Sequence, residues 1–120
     1  ALNLARIAYR EGQLGNVIQL LQDADYRDNI HHFNARGLLL RCYYELGELE
    51  PMRDLLRATL QLVRRRKAGY HQRLFLNNLQ FMQRLVQLDA KDPGQVAEFR
   101  REIQETNPLT FRNWLLKMLG

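Results

Sequence analysis

Two stretches of this chain, 35 residues apart, repeat one another. "AYREGQLGNVIQLL" at residues 8–21 and "YYELGELEPMRDLL" at residues 43–56 share Tyr9/Tyr44, Gly12/Gly47, Leu14/Leu49, Leu20/Leu55 and Leu21/Leu56. Apolar residues before and after each glycine recur with helical spacing, so each copy reads as two helices joined at the glycine. One such hairpin is too thin to bury its own apolar face, and stacking a second hairpin against it closes the core. The repeat therefore predicts an all-α chain of antiparallel hairpins. No segment shows the period-two alternation of a strand.

Along the chain, Leu4, Ile7 and Ala8, with Ala5 beside them, are expected inward on a first helix over residues 2–11, which Gly12 stops. Glycine is the residue that accepts the left-handed backbone of a helix C-cap without steric cost. A second helix runs from about Gly15 or Asn16 to Asp23, with Val17, Leu20, Leu21 and Ala24 inward. "DADYRDN" is a polar linker. A third helix starts near Ile30–Phe33 and reaches Leu46, and a fourth opens at Pro51, where proline's missing N–H is harmless. A fifth covers about Tyr70 to Leu88 and is apolar on more than one side, which implies neighbours on two sides. Asp92 is placed to cap, and Pro93 to open, a sixth helix carrying Val96, Phe99 and Ile103. A seventh covers about Leu109 to Leu119, with Phe111, Trp114, Leu115 and Met118 inward to close the last apolar face.

The repeated residues resemble the tetratricopeptide repeat (TPR) family. Leu4 and Ala5, Ala8–Tyr9, Gly12, then Val17, Leu21 and Ala24 take the family's places in the first copy; Leu39–Leu40, Tyr43–Tyr44, Gly47, then Met52, Leu56 and Thr59 take them in the second. The family's large early aromatic is here Ala1 and Arg36. The chain is also similar to C-terminal TPR-like regions of uncharacterised bacterial proteins. The resemblance implies a right-handed α-solenoid of about seven helices. Residues 1–67 would form two TPR-like hairpins, and 68–120 a divergent third hairpin plus capping helix in the same domain. It also implies a trough lined by the leading helix of each hairpin. Carried across, its lining is Arg6, Tyr9 and Arg10 from the first, and Asn34, Gly37, Arg41, Tyr44 and Glu45 from the second, with Arg6/Arg41 and Tyr9/Tyr44 in register.

Those residue types suit a peptide. Arginine grips a carboxylate through two parallel hydrogen bonds, tyrosine offers area and a hydroxyl, and asparagine bonds a backbone amide. An acidic or C-terminal peptide segment is the expected ligand. The competing reading is a solvated helix face with i, i+4 pairing. The run "RRRK", Arg64, Arg65, Arg66 and Lys67, is the second candidate, for phosphates of RNA. Its bland alternative is a helix C-terminus, where cations are favoured by the dipole.

Nothing points to catalysis or a cofactor. There is no glycine-rich phosphate loop and no GxSxG, and no metal is expected: Asp25, Asp28, His31 and His32 match no familiar ligand spacing. The one cysteine, Cys42, excludes an internal disulfide and reads as a buried inert thiol, which fits a reducing, cytoplasmic setting. No apolar run approaches the about 18 residues of a membrane span, so no membrane is expected. With 46% apolar residues the chain can build a core. Its net charge of +5 is spread rather than gathered into a tail. The opening "ALNLARIAYR" lacks Met and is already in helical periodicity, which reads as part of a longer protein. The favoured function is a non-catalytic protein–protein interaction scaffold, with a homodimer through an exposed repeat face also open. The alternative is an RNA-associated helical-repeat module, and a structural segment of a larger enzyme is a third reading.

Overall fold

The computed structural model describes residues 2–22, 29–66, 69 and 71–120. Among them are seven helices and no strand: α1 (Leu2–Arg10), α2 (Leu14–Gln22), α3 (Asn29–Glu45), α4 (Leu49–Arg65), α5 (His71–Gln87), α6 (Pro93–Glu105) and α7 (Arg112–Leu119). They fall into two compact units, Ala1–Ala68 and Gly69–Gly120. No helix among the described residues is long and apolar enough to cross a membrane.

In the first unit the two glycine turns are the same object built twice. Gly12 and Gly47 sit at φ +77 and +75, the left-handed region. Around Gly12, the N–H of Gly12 donates to Tyr9 O and that of Gln13 to Ala8 O, at 3.0 and 2.9 Å. Around Gly47, the N–H of Gly47 donates to Tyr44 O and that of Glu48 to Tyr43 O, at the same 3.0 and 2.9 Å. This paired pattern is the Schellman motif, which satisfies carbonyls a helix end leaves without partners. A Cβ on either glycine would meet nothing within 4 Å, so the backbone angle, not space, requires glycine there. Each turn feeds its next helix at once: Val17 N–H donates to Gln13 O, and Met52 N–H to Glu48 O. α4 thus starts at Leu49, before the expected Pro51. Pro51 lies third in the helix, still in the first turn, where its missing N–H forfeits no intrahelical hydrogen bond.

Equivalent positions of the two hairpins fill equivalent places. Ala5 and Leu40, Val17 and Met52, and Leu21 and Leu56 are all buried. One core gathers Leu2, Ala5, Ala8, Val17 and Leu21 with Ala35, Leu38, Leu39 and Cys42 of α3. The expected inward face of α1 needs correction. Leu4 and Ile7 are 61% and 47% exposed. The helix instead turns Leu2, Ala5 and Ala8 inward, two of them small enough for α1 to lie close to its neighbours. Leu20 and Leu55 are half-buried, while their neighbours Leu21 and Leu56 are buried.

The second unit is organised by polar groups as much as by its core. Asp92 caps α6 as expected, its Oδ1 accepting from the N–H groups of Gly94 and Gln95 at 3.0 and 3.2 Å, with Pro93 first in the helix. Phe81 of α5 stacks on Phe99 of α6 with centroids 5.7 Å apart. The Arg84 guanidinium lies over both rings and pairs with Glu102. α7 begins at Arg112 rather than at Leu109. The reason is that α5 holds the preceding segment: Asn77 Nδ2 donates to Pro108 O, Asn78 Nδ2 donates to Thr110 Oγ1, and Asn78 Oδ1 accepts from the Phe111 N–H. Arg112 then reaches back to the end of α6, donating to the carbonyls of Ile103, Gln104 and Thr106 and to Asn107 Oδ1. A cation there satisfies the last carbonyls and complements the helix dipole.

Trp114 is 8% exposed and Leu115 fully buried, so the last helix closes an apolar face. Trp114→Ala is expected to cost ~3–5 kcal/mol, through lost burial and the void left behind. Urea unfolding monitored by circular dichroism checks it; a variant as stable as the parent would place the indole in solvent.

Candidate functional site

The side chains that the resemblance assigns to a trough come from α1 and α3, which touch within the first unit. Arg6, Tyr9 and Arg10 follow the helical repeat along α1, and Asn34, Gly37, Arg41, Tyr44 and Glu45 along α3. The structure brings four of them together. The Arg41 guanidinium lies over the Tyr9 ring, 5.2 Å from its centroid. Its Nε faces Gly37 O one turn back, at 3.4 Å. The Tyr9 hydroxyl donates to Glu45 Oε2 at 2.5 Å. Arg6 is close enough to act on Arg41 as a like charge. Tyr9 thus meets Arg41 through its ring and Glu45 through its hydroxyl, a cation–ring–carboxylate arrangement. Arg10 is exposed at the end of α1, and Asn34 is half-buried toward the start of α3.

The electrostatics follow from half-burial. Loss of water pushes the Arg41 guanidinium below the usual arginine range; Tyr9, Cys42 and Glu45 pull it back, and Arg6 adds to the depression. It remains a cation at any working pH. Burial, then the hydrogen bond to Glu45, pushes the Tyr9 phenol well above its ordinary value, so it stays a donor. Burial also raises the Tyr44 phenol. Among the described residues the cluster sets Arg6 and Arg41 beside the Glu45 carboxylate. That excess of cations, with ring faces and a hydroxyl, suits a carboxylate-bearing chain. Glu45 already occupies part of the cluster, so an incoming carboxylate would compete with it for Arg41 and Tyr9.

Arg64 and Arg65 close α4 and are exposed, in the last turn where the dipole favours cations. Arg66 is the C-cap, its N–H donating to Leu62 O. Lys67 lies outside the described residues. Sequence reasoning missed a neighbour of this run. Half-buried Arg36 donates through Nη1 to Thr59 Oγ1 at 3.1 Å, and Thr59 donates on to Leu55 O. Burial, and then the charge of Arg66, lower its pKa. The signal was present as an arginine standing where the resembled family has a large aromatic.

Cys42 is buried in the core shared by the two hairpins, and burial, then Glu45, pushes its thiol up to about 12. Asp25 and Asp28 lie outside the described residues; His31 is exposed and His32 half-buried at the start of α3. Among the described residues no three His, Cys, Asp or Glu side chains gather as metal ligands would. Phe111 packs edge-on against Trp114 at 6.4 Å.

Comparison with protein-family models, with curated proteins and with solved structures finds no match.

Two measurements probe this region. Tyr9→Phe removes the donor to Glu45 but keeps the ring under Arg41, so it should cost about 1 kcal/mol in urea unfolding. Cys42 should resist a thiol-exchange reagent below about pH 9 in the folded protein and react once urea unfolds it, because the reagent needs a thiolate that burial suppresses. Rapid labelling of the native thiol would contradict the burial.

Proposed function

We propose that this chain is a non-catalytic, TPR-like α-solenoid scaffold for protein–protein contacts, which holds an acidic or C-terminal peptide segment along α1 and α3. The observation that carries the reading is the cluster in which Arg41 lies over Tyr9, Tyr9 bonds Glu45, and Arg6 adds a second positive charge. Two hairpins with identical turns place these groups on neighbouring helices, so a ligand running across both meets a cation from each. Arg41 is pre-positioned by its ring contact, which lowers the entropy lost when it clamps a carboxylate. Asn34 and Tyr44 extend the same surface with an amide and a second phenol.

A second reading has its own support. Arg66, which follows exposed Arg64 and Arg65 at the end of α4, acts on half-buried Arg36 as a like charge, and a polyanion such as RNA would relieve that strain.

Fluorescence anisotropy with the whole chain separates the two. The probes are a short acidic peptide with a free C-terminal carboxylate and a short single-stranded RNA. Arg6→Ala with Arg41→Ala should weaken peptide binding by about tenfold or more, as expected for loss of charge-assisted hydrogen bonds. Arg64→Ala with Arg65→Ala should leave peptide binding unchanged. Peptide binding indifferent to the first pair would sink the scaffold reading. RNA binding abolished by the second pair, with a steep salt dependence, would install the other.

A further inference from the structure

The shared core has a counterpart on the outside of the first hairpin. Leu4 and Ile7 of α1 stand exposed, and with half-buried Leu20 of α2 they line an open groove of about 290 Å³ rimmed by Glu11 and Asn16. A shift of 35 residues turns Leu4 into Leu39, Ile7 into Cys42 and Leu20 into Leu55. Leu55 is half-buried as Leu20 is, but the other two do not stand in water. Leu39 is 7% exposed and Cys42 fully buried. Both lie in one core with Leu2, Ala5, Ala8, Val17 and Leu21 of the first hairpin, and Leu55 packs against it, as Leu20 does from its own side. Because the turns at Gly12 and Gly47 share the same φ and the same hydrogen bonds, the shift maps one face onto the other and not merely one letter onto another.

The second hairpin thus shows what covers this face when it is covered. We propose that the Leu4–Ile7–Leu20 face docks a further helix hairpin of the same repeat type, seated as α1 and α2 are seated on α3. The occupant's chemistry is read from the existing interface. Its leading helix carries small side chains every third residue, as Ala5 and Ala8 do, so that backbones approach closely. Its following helix presents Val and Leu one turn apart, as Val17 and Leu21 do. The other exposed large hydrophobics lack this signature. Leu46 has Glu11 as its counterpart under the same shift, and scattered exposed leucines are ordinary. The proposal concerns a surface separate from the Arg6–Arg41 cluster and does not depend on what that cluster binds.

The test adds the occupant. An extra copy of residues 1–35 is fused ahead of Ala1, preserving the 35-residue register, and is compared with the parent chain. Circular dichroism should show the added helix, and the urea midpoint should rise. Leu4→Asp should leave the parent's midpoint unchanged, since the side chain is in water. In the extended chain, Leu4→Asp of the original copy should lower the midpoint by as much as Leu39→Asp lowers it in the parent. Three outcomes would overturn the proposal: an added segment that stays unfolded while the rest folds, an extended chain indifferent to Leu4→Asp, or a parent that sediments as a dimer dissolved by Leu4→Asp. The last would name a second copy of this chain as the occupant instead.

Discussion

The left-handed backbone at Gly12 and Gly47 is the constraint on which the first unit depends. The tight turn that closes each of these two hairpins needs a positive φ at the residue after its first helix, and an L side chain resists that region by roughly 1–2 kcal/mol. Two glycines at φ +77 and +75, closed by the same pair of hydrogen bonds, give two hairpins of matching geometry. Matching geometry lets one apolar pattern serve twice. Val17 and Met52 occupy the same place behind their turns, and Leu21 and Leu56 the same place one turn later. A hairpin of two nine-residue helices, such as α1 and α2, has little interior of its own. Its stability comes from the face it shares with α3, through Leu39 and Cys42.

The same stacking decides where charge collects. Once α1 and α3 lie together, Arg6, Tyr9, Arg41 and Glu45 meet, although residues 6 and 45 are far apart in the chain. A half-buried arginine is costly unless something faces it. Arg41 is met by a ring face and lies within the field of a carboxylate, which offsets part of the cost of its burial. Cys42, the next residue, points into the core and loses its thiolate character there. Neighbouring residues on one helix are thus divided between a chemical surface and an inert interior by helical spacing alone.

Much of this was legible in the sequence. Glycine and aspartate signals marked the turns and the α6 cap, because each acts through its own backbone within a few residues. What periodicity could not settle was which apolar side of α1 is covered: Leu4 and Ile7 share the helical spacing of buried residues, and only the position of α3 shows that Leu2, Ala5 and Ala8 face it. Asn77 and Asn78 were hidden for a different reason. On a helix they read as solvent-facing, and their burial depends on backbone groups some thirty residues away at Pro108, Thr110 and Phe111. Arg112 carries no local signal either, since its partners are the carbonyls ending α6. For the site, Arg6 and Arg41 came from the family resemblance, whereas the bond from Tyr9 to Glu45 needed three dimensions.

The claim at the centre is that the two hairpins lie in register with their leading helices side by side. Proton–proton Overhauser contacts of the Tyr9 ring in the intact chain test it most directly. In-register stacking predicts cross-peaks from that ring to the Arg41 and Glu45 side chains, across the boundary between hairpins. A Tyr9 ring with contacts only to residues of its own hairpin would contradict it.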